Sequence, residues 1–218
     1  MSRWLLTPVK PLVEAKSRLS PLLTAEERGD LTRCLLERTL LLAQQSALFT
    51  RLLVISRDPH VWEIAQAAGA SPLPEAGQTL NGALLQGASY ACQQGAGSIL
   101  ILPADLPLLT LQDLAALCAL GDTGDGLAIG PAQDGGTNAL HLRLPAALPF
   151  CFGEDSFAHH MAAAHAAGLT PQIYDSVTLR FDLDQPHHWL AWAASPAALT
   201  AGFPALQEAA RLPCSRGD

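Results

Sequence analysis

SILILPADLP (residues 98–107) reads as an interior strand, Ser98–Leu102, that delivers a carboxylate between two prolines. A short apolar run with glycine before it and proline after it is the pattern of a strand buried on both faces, as in parallel sheets covered by helices. Open sheets of that kind bind ligands beyond the carboxyl ends of their strands. Asp105 is therefore expected in a ligand crevice, on a loop stiffened by Pro103 and Pro107. A plainer reading makes Asp105 a cap for the next helix, but Thr110 suits that position better.

The flanking sequence alternates in the same sense. Upstream, Trp4–Val9 reads as a buried strand ending in prolines, Lys10–Ser20 as a polar loop, and Thr24–Ala47 as a helix opened by a Thr24/Glu27 capping box. Arg51–Ser56 is a second strand, and Pro59–Ala68 and Gly82–Gln94 are helices; downstream, Thr110–Leu120 is another. Beyond residue 120 the pattern loosens. Leu127–Ile129, Ala139–Leu142 and Leu179–Leu183 read as strands, Ser156–Ala167 as a helix capped by Asp155 or Ser156, and Pro186–Ala194 as a helix with proline in its first turn. The fold expected is α/β, a mostly parallel sheet with helices on both faces, in one domain over residues 1–194. Residues 195–218 form a C-terminal segment, packed on the domain or partly flexible, with a short helix at Pro204–Arg211.

Composition narrows the function. The 218 residues are 49% hydrophobic and 15% charged, enough for a sizeable core, and the formal net charge is −7. That balance argues against nucleic acid or an anionic membrane as partner, since both call for a basic surface. The five cysteines, Cys34, Cys92, Cys118, Cys151 and Cys214, have no zinc-type spacing and fit reduced thiols. No signal-peptide core or membrane-length apolar run occurs, so the expected location is the cytoplasm.

Several motifs carry chemistry. FDLD (181–184), read as a strand, puts Asp182 and Asp184 on one face, and two like charges so close call for a cation or strong donors between them. With Asp105 they offer three hard oxygen ligands, the preference of Mg²⁺; the plain alternative is a turn that caps the Pro186 helix. PVKPLVEAKSRL (8–19) places Lys10, Lys16 and Arg18 just after the first strand, suited to phosphate, although a basic surface loop is the commoner explanation of such a run. Neither a GxxxxGK[ST] loop nor a GxGxxG fingerprint is present. In DGGTNAL (134–140) two glycines precede Thr137, and in FGEDSF (152–157) Gly153 and Ser156 open a helix whose N-terminus suits an anion; a plain turn and a plain cap would explain each separately. Asn81, in Leu80-Asn81-Gly82, is either an N-cap or a contact to a nucleotide. Of the seven histidines, His160 stands out because it follows the FGEDSF turn; His159, His187 and His188 read as surface or supporting groups.

In this order over residues 8–186, PVKPLVEAKSRL, the Leu80–Asn81 step, PADLP, GGTNAL, FGEDSF with His160, and FDLDQP resemble the guanylyltransferases of deazaflavin coenzyme F-420 biosynthesis. Those enzymes act on 2-phospho-L-lactate, phosphoenolpyruvate or 3-phosphoglycerate. The resemblance implies a nucleotidyltransferase domain that moves GMP from GTP to a small phosphorylated carboxylic acid and releases pyrophosphate. It implies Mg²⁺ on Asp105, Asp182 and Asp184, the acid on Lys10, Thr137, Gly153 and Ser156, and the nucleotide facing Lys16, Arg18 and Asn81. CLLERTL (34–40) and Gln185 depart from the family's usual residues, which bears on the acceptor rather than the reaction. Two alternatives stand beside this reading. One is another cofactor-directed nucleotidyltransferase, resembling the molybdenum-cofactor enzymes, whose glycine-rich loop PVKPLVEAKSRL lacks; the other is a non-catalytic nucleotide-binding protein on the same fold. The alanine- and leucine-rich tail could support a homodimer.

Overall fold

Side chains alternate cleanly across the first strand. In the computed structural model, which describes residues 2–77 and 79–195, β1 (Arg3–Pro8) sends Leu5 into one apolar cluster and Leu6 into another, both wholly buried. β2 (Arg51–Ser56) divides in the same way, Leu52 and Val54 against Leu53 and Ile55. β4 (Ser98–Ile101) places Leu100 on one side and Ile99 and Ile101 on the other. Strands this apolar need cover on both faces, and helices supply it. On one side lie α1 (Ala25–Ser46), α2 (Pro59–Ala67) and α4 (Leu111–Gly121), through Leu36, Leu40, Val61 and Leu117. On the other lie α3 (Leu80–Gln93) and α5 (Ser156–Ala166), through Leu84, Ala88 and Ala164.

The seven strands run in the order β3-β2-β1-β4-β6-β5-β7, where β3 is Ser71–Pro74, β5 Ala128–Pro131, β6 Thr137–Arg143 and β7 Gln172–Ile173. Neighbours are parallel except for β6, which is antiparallel to both β4 and β5. The expected single α/β domain with a mostly parallel sheet is thus observed. Because β6 runs backwards, its first residue, Thr137, lies at the same edge as the ends of β1, β2 and β4. That reversal brings the loops after β1 and β4 and the Asp134–Gly136 turn to one rim.

Helix starts were readable from their caps. Thr24 and Glu27 form both bonds of a capping box, as do Thr110 and Asp113, and Asp58 caps α2. At α5 the cap position belongs to Asp155, in a left-handed conformation (φ 51°), but its side chain makes no capping bond. The polar loop after β1 contains a 3-10 turn, Ser17–Leu19. Strands β3 and β7 were not foreseen: the first is an SPLP edge strand and the second has two residues.

The expected strand Leu179–Leu183 is a correction. Val177–Arg180 is instead one turn of helix, α6, and residues 181–184 continue without a ladder. Backbone groups here are satisfied by side chains and neighbouring loops. Ser176 caps α6, the buried Asn138 amide donates to the carbonyls of Leu179 (2.9 Å) and Arg180 (3.2 Å), and Leu183 N–H donates to the Asp105 carbonyl (3.0 Å). Gly130 permits the close approach: a Cβ there would stand 2.4 Å from Leu179 Cδ2. A smaller cluster of Leu19, Leu31, Leu183, Trp189 and Trp192 then packs this segment and α7 (Pro186–Ala193) on the start of α1. The helix expected at Pro204–Arg211 lies outside the described residues.

Candidate active site

A cavity of about 520 Å³ opens at the carboxyl edge of the sheet, a size usual for small-molecule sites. It is lined by Lys10, Lys16, Asp105, Thr137, Gly153, Ser156, Asp182 and Asp184, so residues scattered over 175 sequence positions (184 − 10 + 1) face one space.

At one end the acidic residues meet. Asp105 follows β4, and Asp182 and Asp184 follow α6. Lys16, held by a left-handed backbone (φ 51°) at the start of the 3-10 turn, inserts its almost completely buried ammonium between them. Its Nζ lies 2.9 Å from Asp105 Oδ2 and 2.7 Å from Asp184 Oδ1. Burial works against that charge, but attraction to the two carboxylates prevails and raises the lysine above its ordinary value. In Asp184 burial is likewise outweighed by Lys16, with help from Arg18 and Lys10, and its carboxyl is held down. Arg18 stands further out, 3.8 Å from Asp184 Oδ2. Asp182 is different: burial, then repulsion from Asp105, Asp184 and Asp134, push it up to about 6. Its side chain has one long contact, from Gln133 Nε2 at 3.5 Å. Among the described residues no three His, Cys, Asp or Glu side chains are drawn together closely enough to hold a metal ion as they stand; the Lys16 ammonium holds two of these carboxylates together.

At the other end Thr137, Ser156 and His160 form a buried group. Thr137 Oγ1 is 3.0 Å from His160 Nδ1 and 3.2 Å from Ser156 Oγ, and the Cys151 N–H donates to His160 Nε2 at 3.0 Å. Gly153 lies in the positive-φ region (139°) with open space around it. Asn81 is neither the cap of α3, which is Thr79, nor turned to the cavity. Its amide donates to the Phe152 carbonyl (3.0 Å) and accepts from the Phe152 N–H (2.9 Å), tying α3 to the loop that carries Gly153. Each end of the Asn81 side chain thus makes one bond to backbone, and the amide keeps a second N–H.

Some participants had no signature in the sequence. Asn138 sits inside the GGTNAL motif without announcing that it anchors residues 179 and 180. A third wall of the cavity is built by Arg57, paired with Glu14 and 3.6 Å from Glu75. Only the fold assembles that trio.

The fold defines the class: an α/β domain whose architecture is shared with solved structures described as nucleotide-diphospho-sugar transferases. A solved structure from Desulfovibrio desulfuricans G20 described as such a transferase superposes with a TM-score of 0.73 at 19% identity, covering 95% of this chain and 98% of that one. CMP:2-keto-3-deoxy-manno-octonic acid synthetase, solved with CTP, gives 0.61 at 15% identity over 92% of this chain and 99% of that one. These likenesses concern the fold. The family is narrower: residues 3–191 match the model described as guanylyl transferase CofC like, and the chain belongs to that family. Among its relatives, the phosphoenolpyruvate guanylyltransferase of Rubrobacter xylanophilus is 43% identical over 187 residues, 85% of this chain and 91% of that protein. The 2-phospho-L-lactate guanylyltransferase of Methanothermobacter thermautotrophicus is 38% identical over 179 residues, 81% of this chain and 78% of that protein.

Proposed function

We propose that this protein transfers GMP from GTP to the phosphate of a small phosphorylated carboxylic acid, with phosphoenolpyruvate the first candidate and 2-phospho-L-lactate and 3-phosphoglycerate the others. The resemblance ties such an activity to coenzyme F-420 biosynthesis. The observation that carries the reading is the convergence of Asp105, Asp182 and Asp184 with Lys16 at one end of a single cavity and of Thr137 with Ser156 at the other. The substrate names of the relatives support the choice of nucleotide and acid.

In this reading an oxygen of the acceptor phosphate attacks the α-phosphorus of GTP. A new P–O bond forms, the bond from the α-phosphorus to the bridging oxygen breaks, and pyrophosphate departs in line. The acceptor phosphate is already an anion near neutral pH, so no strong general base is required. Catalysis then rests on positioning and charge neutralisation. Lys10, Lys16 and Arg18 are assigned to phosphate oxygens, and Thr137, Gly153 and Ser156 to the acid. The carboxylates of Asp105, Asp182 and Asp184 are assigned to Mg²⁺. They fit it, since they are hard oxygen donors and the charge on Asp182 is poorly compensated by its surroundings. Bound there, the ion would neutralise charge on the phosphate oxygens.

The test is direct. The purified protein is incubated with GTP, Mg²⁺ and each of the three acids in turn, and the products are weighed by mass spectrometry. A guanylylated acid together with pyrophosphate is the expected result. Absence of both with all three acids overturns the proposal.

A further inference from the structure

We propose that His160 is a positioning residue for the acceptor acid: it fixes the Thr137 hydroxyl as a donor aimed into the cavity. The inference rests on the acceptor site assigned above, and its logic is one of proton accounting. His160 is wholly buried, against Phe152 on one side. Its Nε2 receives the Cys151 backbone N–H at 3.0 Å and so carries no proton. A neutral imidazole with a bare Nε2 must carry its proton on Nδ1. That Nδ1–H faces Thr137 Oγ1 at 3.0 Å, and the Ser156 carbonyl one turn back attracts the same proton.

Ser156 Oγ–H also donates to Thr137 Oγ1, at 3.2 Å. A hydroxyl has two acceptor sites and one hydrogen. With both acceptor sites of Thr137 filled, its own hydrogen is left for a ligand, and Thr137 lines the cavity. The threonine is thereby a donor only, the polarity an anionic phosphate or carboxylate needs. Burial holds the His160 pKa down to about 4, so the ring stays neutral near physiological pH and the arrangement persists. A rotating hydroxyl would present lone pairs to an anion part of the time; this one cannot. Ser156, its hydroxyl hydrogen spent on Thr137, acts with His160 in orienting that residue and does not itself donate its hydroxyl to the acid.

Nitrogen-resolved NMR of the wild-type protein, labelled at histidine, reads the tautomer. The expected spectrum shows His160 protonated at Nδ1 and bare at Nε2; a proton on Nε2 would overturn the proposal, whatever the activity of the protein. Kinetics supply the second arm. His160→Phe, which keeps an aromatic ring against Phe152 and loses both ring bonds, should raise KM for phosphoenolpyruvate roughly tenfold, with KM for GTP within about twofold. In a Thr137→Val background, His160→Phe should add nothing, because the residue acts through that hydroxyl. An equal rise in both backgrounds would refute the coupling. Failure of the wild type to transfer GMP to any acid would sink the proposed function, while the NMR result still judges the hydroxyl orientation.

Discussion

Asp105 and Lys16 show how much hangs on single side chains. Asp105 is partly exposed and shares Lys16 with Asp184, so Asp105→Asn leaves the ammonium one full partner. Asp184 still pairs with the ammonium, the asparagine oxygen can still accept from it, and the repulsion of Asp105 on Asp182 is relieved, so the variant should melt close to the wild type. Turnover should fall by roughly 10³ or more, because the proposed reaction assigns the lost charge to the phosphate-handling end of the cavity. Pyrophosphate release and thermal unfolding, measured side by side, check this. Full activity in Asp105→Asn would remove the basis for assigning Mg²⁺ to this trio. At this scale the sequence was informative about which residues gather at the cavity and less so about what each one touches. Asp105, Lys16, Thr137, Gly153, Ser156, Asp182 and Asp184 all line the cavity. Asn81, by contrast, braces a loop, because its amide reaches Phe152, 71 residues away.

Among the elements, α4 has a second task beyond packing. Asp113 is the last partner in its capping box and is almost fully buried. It also accepts from Tyr174 Oη (3.0 Å), Ser176 Oγ (2.7 Å) and Thr178 Oγ1 (2.8 Å), and so clamps the segment leading to Asp182. Burial alone would raise its pKa, but the hydroxyl and backbone donors outweigh burial and hold the carboxyl below its ordinary value. A depressed carboxylate adds stability above its ordinary pKa and loses that contribution as pH falls through the folded value. Asp113→Asn should therefore cost about 2–4 kcal/mol near pH 7, and the gap to the wild type should narrow on acidification below about pH 4. Unfolding midpoints across pH report both effects; a gap that does not change with pH would count against the clamp. The neighbouring Leu179–Leu183 stretch explains why this region resisted sequence reading. Its apolar alternation is that of a strand, yet Asn138, Ser176 and Asp105 satisfy its backbone from outside, so no ladder forms. Helices with local caps were legible because their signals lie within a few residues; SPLP and the two-residue β7 carry too little pattern to be seen.

For the whole molecule, the two apolar layers and the single reversed strand β6 bring the chemistry to one rim. Ligand binding to that rim should stabilise the entire domain by mass action. GTP, Mg²⁺ and phosphoenolpyruvate together, each near 100 times its dissociation constant, should add about 2.7 kcal/mol or more, a rise of about 5–10 °C in the unfolding midpoint. ATP in place of GTP should give a smaller shift, and equal shifts would contradict the choice of nucleotide. Among the described residues no helix is long and apolar enough to cross a membrane, in keeping with the absence of a membrane-length apolar run.

The sequence alone determined the α/β alternation, the caps of the long helices and the residues that carry charge to the crevice, because periodicity, capping and a strand followed by PADLP are local properties. The tertiary structure decided that β6 runs antiparallel, that Lys16 bridges Asp105 and Asp184, that Asn81 serves a loop, and that His160 and Ser156 leave Thr137 a donor. Those outcomes depend on contacts between residues far apart in the chain, whose distances and proton directions exist only once the two layers have packed.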